Sequence, residues 1–215
     1  MPRIARYGIV AAFAVAFAMP ARTEEKLSPT DEVLIARIER YINAMGNVSG
    51  EFRQVSSNGS SDSGRFYIKR PGRMRLEYKS PMLLVADGES LVYHDKKLDQ
   101  ISYLPLSGQP AAVILKERAS FSDPEAGITI HEVRQLEGSR TAVLLGHQYS
   151  SQSGSMSLIF DNAPLSIAGW QVKDAHGITT DVTLYNIKES PEPLPDSLFK
   201  ITRRGAFDGQ KNKFY

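Results

Sequence analysis

Over most of its length beyond residue 46 the chain changes character at every second residue, and short clusters of Pro, Gly, Asp and Asn are what interrupt the rhythm. Successive strand side chains point to opposite faces, so this pattern restricts the chain to half-buried, mostly antiparallel strands joined by tight turns. Phe66, Ile68 and Arg70 alternate with Arg65, Tyr67 and Lys69. Met74, Leu76 and Tyr78 alternate with Arg73, Arg75, Glu77 and Lys79, on the other side of a Pro71-Gly72 turn. The same reading predicts strands over 48–56, 82–86, 90–94 and 98–104, with Asp87-Gly88 and Asp95-Lys96-Lys97 as connections. It predicts five more over 127–135, 140–149, 155–161, 166–174 and 178–187. Three prolines between 189 and 196 make that stretch an extended connection.

Two segments depart from period two. Ser28 suits a helix cap and Pro29 the first helical position. Asp31 and Glu32 favour the positive end of the helix dipole, and Val33, Leu34, Ile38, Tyr41, Ile42 and Met45 recur at spacings of three and four. A helix is predicted over 29–45, ended by Gly46-Asn47. After a break at Pro105 to Pro110, residues 111–117 (AAVILKE) read as a short apolar helix. About ten short strands and two apolar helices predict a mainly β fold. It is one curved antiparallel sheet or unclosed barrel with the helices on its concave face.

Composition narrows the chemistry. The 215 residues include no Cys, which excludes disulfides, Cys-ligated metal and a thiol nucleophile. Arg3 and Arg6 precede an apolar run from Gly8 to Met19, about 12 residues, where a bilayer crossing needs about 20; a charged stretch follows. This is the pattern of a cleaved secretory leader, residues 1–21, with cutting after Ala18 or Ala21. Residues 22–215 then form a single domain. Without Arg3 and Arg6 the 26 basic residues become 24 and balance the 24 acidic ones, which removes the basis for nucleic-acid binding.

Catalytic patterns are missing from the sequence. His94, His131, His147 and His176 are spaced by 37, 16 and 29 residues, so none forms a local metal-ligand pair. The serine-rich segment 150–157 reads as a turn feeding a strand rather than as a nucleophile elbow, and no glycine-rich phosphate loop sits between a strand and a helix. The expectation is a protein without catalytic, cofactor or metal residues. The densest positive cluster, KRPGRMR at 69–75, reads as a solvated hairpin edge at Lys69, Arg73 and Arg75, where charge discourages sheet pairing. Arg70 differs: its parity puts it with Phe66 and Ile68 on the apolar face, where a guanidinium needs oxygen partners from another element.

Several segments together resemble the LolA family of periplasmic outer-membrane lipoprotein carriers. They are Phe52 and Gln54 in GEFRQ, SGRFYIKRPGRMRLEY at 63–78, VADGESLVYHD at 85–95, the Gln100 strand leading to Leu104-Pro105-Leu106, and PAAVILKE at 110–117. The resemblance runs from about 29 to 203. It implies an unclosed β-barrel with an α-helical lid enclosing a hydrophobic cavity. Its implied role is a monomeric carrier that takes acylated lipoproteins from an inner-membrane ABC transporter to the outer membrane, where an acceptor can receive them. Arg70 matches the family arginine that holds the lid closed. Met74 matches an apolar position near the cavity mouth where many relatives carry Phe, and Arg73 and Arg75 stand where relatives have polar or aromatic residues. Taken with the strand and helix faces, Leu34, Ile38, Phe52, Phe66, Ile68, Met74, Leu76, Tyr78, Val113 and Ile114 are the candidates for cavity or entrance. The alternative on the same fold is a periplasmic binder of free lipid or another hydrophobic ligand, or a sensor of lipoprotein.

Overall fold

The computed structural model describes residues 27–106, 112–121, 128–147 and 150–201. The predicted leader lies outside the described residues. Helix α1 (Pro29–Ala44) starts as its sequence dictates: Ser28 is extended, its Oγ accepts from the Asp31 amide at 3.2 Å, and Pro29 occupies the first turn. The helix buries Ile35, Ile38 and Ile42, one stripe at the expected spacing.

The six strands that follow form a meander: β1 (Asn47–Ser56), β2 (Ser61–Lys69), β3 (Arg73–Tyr78), β4 (Met82–Asp87), β5 (Ser90–Asp95) and β6 (Gln100–Pro105). Helix α2 is the single turn Ala112–Leu115, shorter than the predicted 111–117; residue 111 lies outside the described residues. A second meander comprises β7 (Ile128–Leu136), β8 (Arg140–His147), β9 (Ser150–Asn162), β10 (Leu165–Lys173) and β11 (Thr179–Ser190). Strand β9 begins at Ser150, so the serine-rich segment belongs to the strand rather than to a turn before it.

Among the described residues these eleven strands make one sheet, ordered β6-β5-β4-β3-β2-β1-β11-β10-β9-β8-β7, with every pairing antiparallel. The first and last strands meet in the middle, where Phe52 lies opposite Leu184 and Gln54 opposite Val182. Strands β6 and β7 are the two edges and do not pair, so the sheet is an unclosed barrel, as the alternation predicted. Register shifts at Ser49/Glu51, Ile130/Glu132 and Ile167/Gly169 are bulges, which bend their strands.

The principal core lies inside the curve. There α1 and α2 pack on Val48, Phe52, Phe66, Ile68, Met74, Leu76, Met156, Leu158, Phe160, Val182 and Leu184. A smaller core sits on the opposite face of β4: Leu83 and Val85 meet Phe199 from a 3-10 turn, Asp196–Phe199. Strand β4 is therefore covered on both faces, which explains why MLLVA at 82–86 is a continuous apolar run rather than an alternating one.

The basic cluster is not a solvated edge. Lys69 Nζ donates to the Leu194 carbonyl at 2.7 Å and pairs with Asp196 at 2.5 Å, Arg73 pairs with the same carboxylate, and Arg75 donates to the Leu198 carbonyl at 2.8 Å. Alternation places these three side chains on the outer face. That face is occupied by residues 194–201, which return after β11 as a strap across β3 and β4. Local sequence carries no sign of so distant a partner.

Candidate functional site

Between helix α2 and the inner face of the sheet is a cavity of about 310 Å³. Met74, Leu76 and Tyr78 of β3, Leu84 of β4, Leu91 and Tyr93 of β5, and Ile114 of α2 form one side. Met156 of β9, Trp170 and Val172 of β10, and Thr180 and Val182 of β11 form the other, with Gln54 of β1 between them. Alternation explains the β3 and β9 contributions: residues 74, 76 and 78, like 156 and 158, face one way. The lining is mostly hydrocarbon and sulfur, so it favours the loss of apolar surface from water.

Four of the sequence candidates, Met74, Leu76, Tyr78 and Ile114, line this cavity. Ile38, Phe52, Phe66, Ile68 and Val113 are buried in the core beside it, and Leu34 packs against that core half-buried. Sequence reasoning missed the wall from β9 to β11. The alternation of Met156, Leu158 and Phe160, and of Val182 and Leu184, held the signal.

One end of the cavity is polar. The Tyr78 hydroxyl donates to Gln54 Oε1 at 2.9 Å, and its ring stacks edge-on against Phe52 with centroids 4.9 Å apart. Ser56 and Thr180 hydroxyls lie 2.7 Å apart. Burial pushes the Tyr78 and Tyr93 phenols up from their usual range, so both keep their protons.

A cluster of hydrogen bonds joins the helices at the other end. Strand β2 stops at Lys69, so Arg70 stands in the turn rather than on the strand face that its parity suggested. Its Nη2 donates to the carbonyls of Lys116 at 2.5 Å and Glu117 at 3.3 Å, and to Asn43 Oδ1 at 3.2 Å. Asn43, near the end of α1, also brackets Ala119: it donates to that carbonyl at 2.9 Å and accepts from that amide at 2.8 Å. The Gly72 amide donates to the Leu115 carbonyl at 2.6 Å. The β2–β3 turn thereby holds both α1 and the segment after α2. Burial lowers the Arg70 pKa, and all its acceptors here are neutral oxygens. Farther along α1, Glu39 accepts from the Phe121 amide at 2.7 Å, the Tyr41 hydroxyl accepts from the Ile167 amide at 3.1 Å, and Tyr41 meets Phe160 edge-on.

No group of His, Asp or Glu able to hold a metal ion occurs among the described residues. An unclosed sheet curved round an apolar cavity, with helices packed against its inner face, is an architecture suited to sheltering hydrocarbon. Residues 43–202 match the family of the outer membrane lipoprotein carrier protein LolA. An outer-membrane lipoprotein carrier protein from Cupriavidus pinatubonensis is 28% identical over 180 residues, covering 77% of this chain and 82% of the relative. One from Ralstonia nicotianae is 29% identical over 189 residues, covering 80% and 85%. Among solved structures, an uncharacterized conserved protein from Thermus thermophilus aligns with a TM-score of 0.48 at 14% identity, over 82% of this chain and 96% of that one. The chain belongs to the LolA family, a family of periplasmic lipoprotein carriers, and its general role and its compartment are those of that family.

Proposed function

We propose that this protein, exported by its N-terminal leader and acting as a monomer, accepts the acyl chains of outer-membrane lipoproteins from an inner-membrane ABC transporter. It then gives them up at the outer membrane, to an acceptor there or to the bilayer. It performs no catalysis and needs no cofactor. The observation that carries the reading is the apolar cavity between α2 and the sheet, beside the Arg70 hydrogen bonds that tie α1 and the segment after α2 to the β2–β3 turn.

Burial of a methylene group is worth about 0.8 kcal/mol, so a sixteen-carbon chain in water costs on the order of 12 kcal/mol, and three chains about three times that before they collapse on one another. A carrier has to hide nearly all of this and still release it. The cavity helps to explain how. At about 310 Å³ it lies at the low end of the range for ligand pockets, about 300–1,000 Å³. Several acyl chains therefore enter only if the helices move out. Binding displaces helix–sheet contacts and the Arg70 hydrogen bonds, and that loss offsets part of the gain from the acyl chains. Arg70 is the latch in this mechanism, and its neutral acceptors leave no carboxylate stranded when it opens.

The test is to mix the mature protein with proteoliposomes carrying the lipoprotein-releasing transporter, add ATP, and look for a triacylated lipoprotein in a soluble one-to-one complex. Failure with a transporter that is active toward another carrier of the family would sink the reading. The small volume of the cavity favours one alternative, a single-chain free lipid that fits with less movement of the helices. That reading expects extractable lipid in the purified protein and no response to the acylated protein.

A further inference from the structure

The polar groups at one end of the cavity are not needed to hold hydrocarbon, and their placement is specific. Gln54 and Val182 are cross-strand partners, as are Ser56 and Thr180, and Thr180 and Val172, so these residues gather at one end of β1, β11 and β10. Tyr78 closes the same end from β3, opposite Gly64. Arg70 lies beyond the other end of β2, six residues from Gly64, or about 20 Å at the rise of a strand. Tyr93 and Val172, both on the cavity wall, are 38% and 39% exposed, which makes the polar end the open one.

Donors are available there. Gln54 Oε1 is occupied by the Tyr78 hydroxyl, so the planar amide turns its NH2 group away from that tyrosine, and that group has no hydrogen-bond partner among the described residues. The Tyr93 hydroxyl likewise has none. Ser56 and Thr180 share one hydrogen bond between two hydroxyls, which leaves one of their protons for a ligand. An apolar pocket whose open end carries unengaged donors suits a ligand with a hydrocarbon tail and a carbonyl acceptor at the head of that tail.

We propose that Gln54, Tyr93 and Thr180 form a subsite for the ester or amide carbonyl at the head of a bound acyl chain. This sets the direction of entry: tails point toward the Arg70 end and head groups stay at the Tyr93–Val172 rim. The proposal rests on the acyl-binding reading of the cavity and adds a chemical preference, for acyl over alkyl chains.

Trp170 is the sole tryptophan of the chain and lines the cavity, so its fluorescence reports occupancy. The full mature protein is titrated with two lipopeptides that share a peptide and a chain length, one a dioctanoyl glyceryl ester and the other its dioctyl ether analogue, which lacks the carbonyls. The wild type is expected to bind the ester about five- to tenfold more tightly, the effect of about one net hydrogen bond. Gln54→Met and Tyr93→Phe each reduce that preference to about twofold or less while leaving ether affinity unchanged. Tyr93→Phe removes only a hydroxyl from a partly exposed ring and guards against misfolding at Gln54. Equal binding of ester and ether by the wild type overturns the subsite, as does a preference that survives in both variants or a loss that falls equally on both ligands. Binding of neither lipopeptide sinks the cavity reading and the subsite with it.

Discussion

Asn43, which the sequence did not single out, makes as many hydrogen bonds in the closing apparatus as Arg70 does. Its side chain brackets Ala119 and accepts from Arg70, three hydrogen bonds on one amide. Asn43→Ala leaves the Ala119 amide and an Arg70 donor without their partner, and a stability loss of about 1–3 kcal/mol is expected in urea unfolding. Arg70→Leu removes the guanidinium from both helical segments. In the mechanism proposed above it gives a carrier that takes up acylated lipoprotein but delivers it to the outer membrane less well than wild type, measured as cargo retained in the soluble complex. Arg70→Lys, with no planar fork, restores only part of the function. Equal delivery by Arg70→Leu and wild type would remove Arg70 from the mechanism. Gly64 is constrained differently: a Cβ there would collide with the Glu77 carbonyl across the β2–β3 pair, so Gly64→Ala is expected to lower the melting temperature by several degrees.

At the scale of elements, the strap formed by residues 194–201 covers the outer face of β4. Phe199→Ala uncovers Leu83 and Val85 and is expected to cost about 3 kcal/mol in urea unfolding, with α1 and the cavity unaffected. The hydrogen bond from Lys69, with the charge of Arg73, holds the Asp196 carboxyl below its usual range. A lowered folded-state pKa adds stability above the unfolded value of about 3.9, and the contribution disappears as pH falls through the folded value. Strap docking is thus expected to persist at neutral pH and weaken in acid, and Asp196→Asn reproduces the acid behaviour at pH 7. Hydrogen exchange of the Leu198 and Lys200 amides measures it; protection unchanged in that variant would show that the apolar contact of Phe199 is sufficient. The strands themselves were legible because their signals are local: Pro71-Gly72 and Asp87-Gly88 turns and residues alternating over six or more positions. The partners of Arg70 come from residues 43, 116 and 117, those of Lys69 and Arg73 from 194 to 196, and Arg75 meets Leu198 besides its near neighbour Glu77; no local pattern encodes the distant ones. That Arg70 needs oxygen partners could be recognised from sequence; which residues supply them could not. Half of the cavity wall was missed for a different reason: the apolar faces of β9 and β11 are legible in the alternation, but not that they close on β3 to β5 across one cavity.

For the whole molecule, the mechanism proposed above implies that the empty and loaded states differ in the placement of the helices. With acylated cargo bound, backbone amides of α1 are expected to exchange faster than in the empty protein, while those of β1 and β11 at the centre of the sheet stay the slowest. Unchanged exchange in α1 would mean that the chains are accommodated without moving it. The central seam also orders the life of the polypeptide before it meets any cargo. Strand β1 is made early and β11 late, yet each is the other's neighbour. A chain leaving the ribosome or a translocation pore N-terminus first carries six strands, ending at Pro105, with the seam edge of β1 bare until about 85 further residues, through Ser190, have emerged. Maturation is therefore a race between arrival of β11 and capture of that bare edge by other chains.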